Sequence, residues 1–148
     1  MKKIPFELHT EIYTPKDIAN VLSLAVNEKN FTGNNKGEKF LNVPVSFDIE
    51  TTSFYRDVDG ETYSYERYMK LGGKETKMEK CSLMYVWQFG INGFCIMGRT
   101  WDEFLQMLSE IVDILELCPK KRIIIYVHNL AYEFQFFREL LPWQKVFS

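Results

Sequence analysis

Asp48 and Glu50 stand two residues apart in Val43-Pro44-Val45-Ser46-Phe47-Asp48-Ile49-Glu50, and Glu133 interrupts an otherwise apolar helical stripe far downstream. Strict alternation puts Val43, Val45, Phe47 and Ile49 on one face of a strand and both acids on the other. Burying a carboxylate costs several kcal/mol unless a positive or hydrogen-bonding partner compensates it, so an acid at a core-facing position calls for a partner. If the strand bearing Asp48 and Glu50 lies beside and parallel to the strand that precedes Glu133, all three carboxylates converge at one end of the sheet, where open α/β sheets place ligand sites. Gathered carboxylates repel, and hard divalent cations with oxygen ligands relieve the repulsion. The pattern therefore predicts a Mg²⁺ or Mn²⁺ site. Two such ions about 3.5 to 4 Å apart activate water and stabilise the leaving oxygen in phosphodiester hydrolysis. Taken singly, Asp48 and Glu50 also fit an ordinary strand end with solvated acids. Glu133 alone fits a helix N-terminal acid favoured by the macrodipole.

The elements that must position these acids follow from local signals. Thr14, Pro15 and Asp17 announce a first helix whose buried face is Ile18, Val21, Leu22 and Ala25. Residues 27–39, rich in Asn, Gly and Lys, read as a loop or short linker before the Asp48 strand. Residues 51–80 read as an exposed insertion tipped by a hairpin at Asp59-Gly60. Residues 81–89 and 94–97 are rich in β-formers and flank Gly90-Ile91-Asn92-Gly93, which predicts two antiparallel strands. Thr100 and Glu103 form a capping box for a helix with the stripe Phe104, Leu105, Leu108, Ile111, Val112 and Leu115, ending at Pro119. The β-branched run over residues 123–127 predicts a central strand buried on both faces. A last helix over residues 130–141, stopped by Pro142, gathers Leu130, Phe134, Phe137, Leu140 and Leu141 in one sector with Glu133 among them. Val146-Phe147-Ser148 reads as the beginning of another strand, so the domain is expected to continue beyond Ser148.

Composition narrows the field. The 148 residues suit one domain, and 46% hydrophobic content with 16% aromatic residues excludes disordered and collagen-like classes. A net charge of −2 argues against a polycationic nucleic-acid binder, so any contact with nucleic acid must be local. Cys81, Cys95 and Cys118 make a poor disulfide framework and read as packing residues of a reduced, cytoplasmic protein. No signal peptide or membrane-spanning run is visible in the sequence. The cluster Lys120-Lys121-Arg122 and the Lys/Glu alternation over residues 74–80 read as solvated surface.

Phe47-Asp48-Ile49-Glu50-Thr51-Thr52 resembles the first exonuclease motif of family B DNA polymerases, and His128-Asn129-Leu130-Ala131-Tyr132-Glu133-Phe134-Gln135-Phe136 resembles the second. The form is most similar to the protein-primed polymerases of bacteriophages and mobile elements, over about residues 43 to 148. The resemblance implies an α/β fold of ribonuclease H-like (DnaQ-like exonuclease) type, a mixed sheet with flanking helices, preceded by an N-terminal extension over residues 1–42. It further implies 3′–5′ proofreading hydrolysis of single-stranded DNA 3′ ends, with Asp48, Glu50 and Glu133 as catalytic metal ligands for two Mg²⁺ or Mn²⁺ ions. Thr51, Asn129 and Tyr132 match positions that hold the DNA end, Phe136 matches the aromatic or apolar position that closes the second motif, and His128 is a further candidate contact with the strand. Asn and Thr can bond phosphate or sugar, and Tyr can stack on a base. The implied partners are the DNA 3′ end, the remainder of the polymerase chain and a terminal priming protein, in a bacterial host's cytoplasm if the protein is phage-encoded, with no membrane.

Two departures accompany the resemblance. Glu133 stands where the family has an aspartate, which moves the carboxylate outward by about one carbon–carbon bond at a metal intolerant of geometric error. The third motif, Tyr-x-x-x-Asp, has no match after the second; Tyr13 with Asp17 and Tyr55 with Asp59 fit its letters but precede it. The expected outcome is an exonuclease portion inactive by itself. The competing readings are a non-catalytic nucleic-acid-binding or interaction module with the same fold, and an independent ribonuclease H-like nuclease acting on RNA.

Overall fold

Along the chain the elements are β1 (Ile12–Tyr13), α1 (Ile18–Ala25), β2 (Phe31–Gly33), β3 (Lys39–Leu41), β4 (Val45–Arg56), β5 (Thr62–Tyr63), α2 (Tyr65–Lys70), β6 (Glu79–Ile91), β7 (Phe94–Gly98), α3 (Trp101–Ile114), β8 (Lys121–Arg122), β9 (Tyr126–Val127) and α4 (Leu130–Phe137). The computed structural model describes residues 9–141. Two compact units divide the chain: Met1–Ile49 with Val86–Ser148, and Glu50–Tyr85. The architecture is α/β with mixed sheets and flanking helices. Among the described residues no helix is long and apolar enough to cross a membrane.

In the first unit the sheet order is β1-β7-β6-β4, with β9 on the other side of β4. β6 and β7 are antiparallel, joined by Asn92-Gly93, whose φ values of 47° and 92° are those of a tight primed hairpin turn. β4 and β9 are parallel. The period-2 pattern of β4 holds: Val45, Phe47 and Ile49 are buried while Ser46, Asp48 and Glu50 are exposed. The core lies where Val45 and Phe47 join Trp87, Phe89, Ile91, Ile96, the α1 face Ile18, Val21, Leu22 and Ala25, and the α3 face Phe104, Met107 and Ile111. Thr100 and Glu103 cap α3 reciprocally, as their spacing requires. Trp87, wholly buried, donates its indole N–H to the Thr100 carbonyl, which ties β6 to the start of α3.

Gly98 is required by that tryptophan. A Cβ there would overlap Trp87 Cζ2 and Cε2, and neither the indole nor the strand can yield without losing the Thr100 bond. Gly98→Ala is therefore expected to destabilise the protein by about 3 kcal/mol and to lower the melting temperature by roughly 10 °C. A thermal melt of the variant matching the parent within a degree or so would show that the indole packs elsewhere.

Several expectations need correction. The loop over residues 27–39 contains a β-hairpin: β2 pairs antiparallel with β3, and β3 pairs parallel with β8 in a separate three-stranded sheet. Asn34 makes the turn, its side-chain oxygen accepting from the Lys36 and Glu38 amides, a local bond that polarity alone does not reveal. The run over residues 123–127 is no central strand. Only Tyr126–Val127 pairs, with β4 alone among the described strands, and Ile124 and Tyr126 are 48% and 67% exposed. An apolar run signals a buried environment only when something lies on each face, and here the second face has no neighbour among the described residues. In α3, Val112 is exposed and Met107 is buried, and the helix ends at Ile114, with Glu116 at φ 50°, before Pro119 is reached. The first helix opens as a 3-10 turn over Pro15–Asp17, capped by Thr14 and Asp17. The last helix stops at Phe137 instead of residue 141. Pro142 and the strand read into residues 146–148 lie outside the described residues.

The second unit is the insertion expected over residues 51–80, with a small core of its own. β4 runs on past Glu50 as far as Arg56, because Thr51, Thr52, Phe54 and Tyr55 are strand formers. Asp48 and Glu50 thus lie within a strand and not at its end. Gly60, at φ 88°, closes the turn to β5, and Asp57 fixes it by accepting from the Tyr63 hydroxyl at 2.7 Å and from the Asp59 and Glu61 amides. Tyr55 and Tyr68 stack face to face, centroids 3.7 Å apart and planes 4° from parallel.

Candidate functional site

β9 runs parallel to β4 with Phe47 opposite Val127, so Asp48 and His128, one residue further along each strand, leave the ladder at the same end. Asn129 (φ −124°, ψ 66°) turns the chain into α4, and its carbonyl accepts from the amides of Tyr132 and Glu133. That places Glu133 in the first turn of α4, shortly past the end of β9. The helix is held there by rings. Phe137 meets Phe47 edge-on at 5.4 Å, Phe47 meets Phe104 at 4.6 Å, and Trp101 touches both Phe104 and Phe137. One turn of α4 thus joins the apolar face of β4, at Phe137, to the acid on its other face, at Glu133.

Glu133 is 3% exposed, the one buried charged side chain among the described residues. Its Oε2 is buried without a hydrogen-bond partner. Burial, then a side-chain hydrogen bond with Asp48 and the negative charge of that neighbour, push the Glu133 carboxyl up to about 7, against a smaller opposing bond from the Asn129 backbone. Burial and the neighbouring Asp48 both favour the protonated form of Glu133, which lowers the cost of burying the group.

The structure therefore brings Asp48 and Glu133 together. Glu50 is exposed and is the first residue of the other unit. Among the described residues no group of three or more His, Cys, Asp and Glu side chains is gathered as at a metal centre. His128 and Asn129 are exposed at the strand end, Tyr132 is 42% exposed, and its ring lies 5.3 Å from that of half-buried Phe136. Thr51, half-buried, belongs with Glu50 to the second unit. The pair fits a divalent cation by its donor chemistry: two hard carboxylate groups in contact, one with an orphaned buried oxygen. Sequence reasoning placed Glu133 on the buried stripe but missed the aromatic support of Phe47, Trp101, Phe104 and Phe137. The signal was the spacing of Phe137 four residues after Glu133, on the same helical face.

Comparison of the chain with protein-family models, curated proteins and solved structures finds no match.

Proposed function

We propose that this chain is the 3′–5′ proofreading exonuclease portion of a family B DNA polymerase of the protein-primed, phage type, acting on single-stranded DNA 3′ ends. The observation that carries the reading is the contact between Asp48 and buried Glu133 beside the parallel pair β4 and β9, with one carboxylate oxygen left unsatisfied. The order of elements supports the ribonuclease H-like reading: an antiparallel pair, β6 and β7, on one side of β4, a parallel neighbour on the other, and α3 and α4 after the strands they follow. Asp48 and Glu133 would hold Mg²⁺ or Mn²⁺. When bound, the ions would activate water and stabilise the leaving oxygen. Asn129 would hydrogen-bond phosphate or sugar, and Tyr132 with Phe136 would give the terminal base a stacking surface next to His128.

The test is shortening of a 5′-labelled single-stranded oligonucleotide. With its full reading frame the protein is expected to give a ladder descending from the 3′ end with Mn²⁺ or Mg²⁺ and none with EDTA, while the 148 residues alone give little or none. Absence of a ladder from the longer protein with either ion sinks the proposal and leaves the non-catalytic binding module.

A further inference from the structure

The second unit presents a short helix with almost nothing covering it. Only Tyr68 of α2 is buried; Tyr65 is 60% and Met69 52% exposed, and Leu71 just beyond is 49% exposed. Tyr65 is nonetheless held in place, its ring 6.2 Å from Tyr55 and 6.4 Å from Tyr68, the two that stack as the unit's core. The helix thereby offers solvent an aromatic ring buttressed from behind. The 3-10 turn Gly73–Glu75 packs back on α2, Met69 Sδ lying 3.2 Å from where a Gly73 Cβ would be, and so carries Lys74 beside the helix.

Charge is unevenly spread in this unit: it holds six cations and seven acids in all, but residues 65–80 hold five cations (Arg67, Lys70, Lys74, Lys77, Lys80) against three acids (Glu66, Glu75, Glu79). Glu66 is taken by Lys70 at 2.7 Å, and Glu79 lies 3.9 Å from Arg56. Arg67 lies over the Tyr63 ring at 5.5 Å. Among the described residues no acid pairs with Lys74, Lys77 or Lys80, all exposed, although Glu75 stands among them. An exposed ring backed by two others, in a segment that also carries three exposed, unpaired lysines, matches a polyanion with flat bases, since base stacking on an aromatic side chain is tolerant of sequence and lysines track the phosphates.

We propose that the second unit carries a docking face for single-stranded nucleic acid, with Tyr65 as the stacking platform and Lys74, Lys77 and Lys80 as phosphate contacts. The inference rests on the nucleic-acid reading of the protein given above and extends it to a unit outside the carboxylate pair.

Fluorescence anisotropy with a labelled oligothymidylate of about 20 nucleotides tests it on the whole chain. Tyr65→Ala is expected to weaken binding about 10-fold and Tyr65→Phe to leave it unchanged, because stacking needs the ring and not the hydroxyl. Lys74→Gln, Lys77→Gln and Lys80→Gln combined should weaken it at least about 10-fold and flatten the slope of log affinity against log salt by about 2. The same change at Lys16, Lys29 and Lys36, exposed in the first unit, should matter less than about twofold. Equal losses from the two triple variants, undiminished binding by Tyr65→Ala, or no binding by the parent would each overturn the docking face. If the protein shortens DNA while these variants bind as the parent does, the docking inference alone fails. If docking behaves as expected but the full-length protein never shortens DNA, the exonuclease reading fails and the docking face stands.

Discussion

At pH 8 the Glu133→Gln protein is expected to be more stable than its parent by about 2 kcal/mol, and at pH 4 the two should be nearly equal. Glu133 holds its proton up to about pH 7 when folded, against an ordinary value of 4.5. Below pH 4.5 both states are protonated and folding carries no penalty. Between pH 4.5 and 7 the unfolded chain releases the proton while the folded one keeps it, so stability falls as pH rises; above 7 the loss is complete. The interval corresponds to at most about 3 kcal/mol, lowered by proton sharing with Asp48. A glutamine amide keeps the shape, can donate to Asp48 and never ionises. Urea unfolding at pH 5, 6.5 and 8 reads the effect, as would a rise in melting temperature of about 6 °C at the highest pH. Parallel stability curves for parent and variant would mean that Glu133 ionises normally and is not sealed from water.

Asp48→Ala takes from Glu133 both a hydrogen-bond partner and a neighbouring negative charge, and deletes a proposed metal ligand. Calorimetric titration of the parent with Mn²⁺ is expected to show weak binding, tighter than for Mg²⁺, and the variant none. On the proposed exonuclease reading, the same substitution should reduce 3′-end degradation by at least about 100-fold, whereas Asn129→Ala should chiefly weaken hold on the DNA end. Equal heats from parent and Asp48→Ala would remove Asp48 from the ligand set. Glu133→Asp reports how the helix is set: unchanged or improved activity means that either acid reaches, and sharp loss means that α4 is spaced around glutamate.

Gain of stability on losing an acid is the usual mark of a functional position, where local consistency is given up for chemistry. The signals legible in sequence were local ones. Alternation around Phe47 and Asp48 and the capping box at Thr100 follow from contacts within a few residues and appear where expected, while the hairpin connection expected over residues 90–93 narrows to Asn92-Gly93 because Gly90 and Ile91 continue β6. Glu133 was conspicuous because the 100° periodicity gave it no polar face to occupy. What the sequence left hidden depended on partners far away in the chain. The run over residues 123–127 could not show that one flank is uncovered, nor could Met107 outrank Val112 for the core without knowledge of where α1 lies. The hairpin at Asn34 rests on side-chain to backbone bonds that composition presents as a polar linker. Tyr55 and Tyr68, thirteen positions apart, share no periodic pattern, so the insertion's own core could not be read.

β4 and β6, of 12 and 13 residues, are neighbours in one sheet. Strands that leave a sheet and return to it side by side make length changes at their far end nearly harmless. Residues added at the Gly60 turn add only loop-closure entropy, about 0.6 kcal/mol for each doubling of the loop, and leave every pairing between Trp87–Gly98 and Ile91–Phe94 in register. A single residue inserted between Asp48 and Glu50 does the reverse: it turns one acid to the opposite face and inverts all that follows on the strand. Insertions and deletions should therefore be tolerated freely within Glu50–Tyr85 near its turns, and hardly at all within two residues of Asp48, a gradient of permitted length written into the strand pair itself.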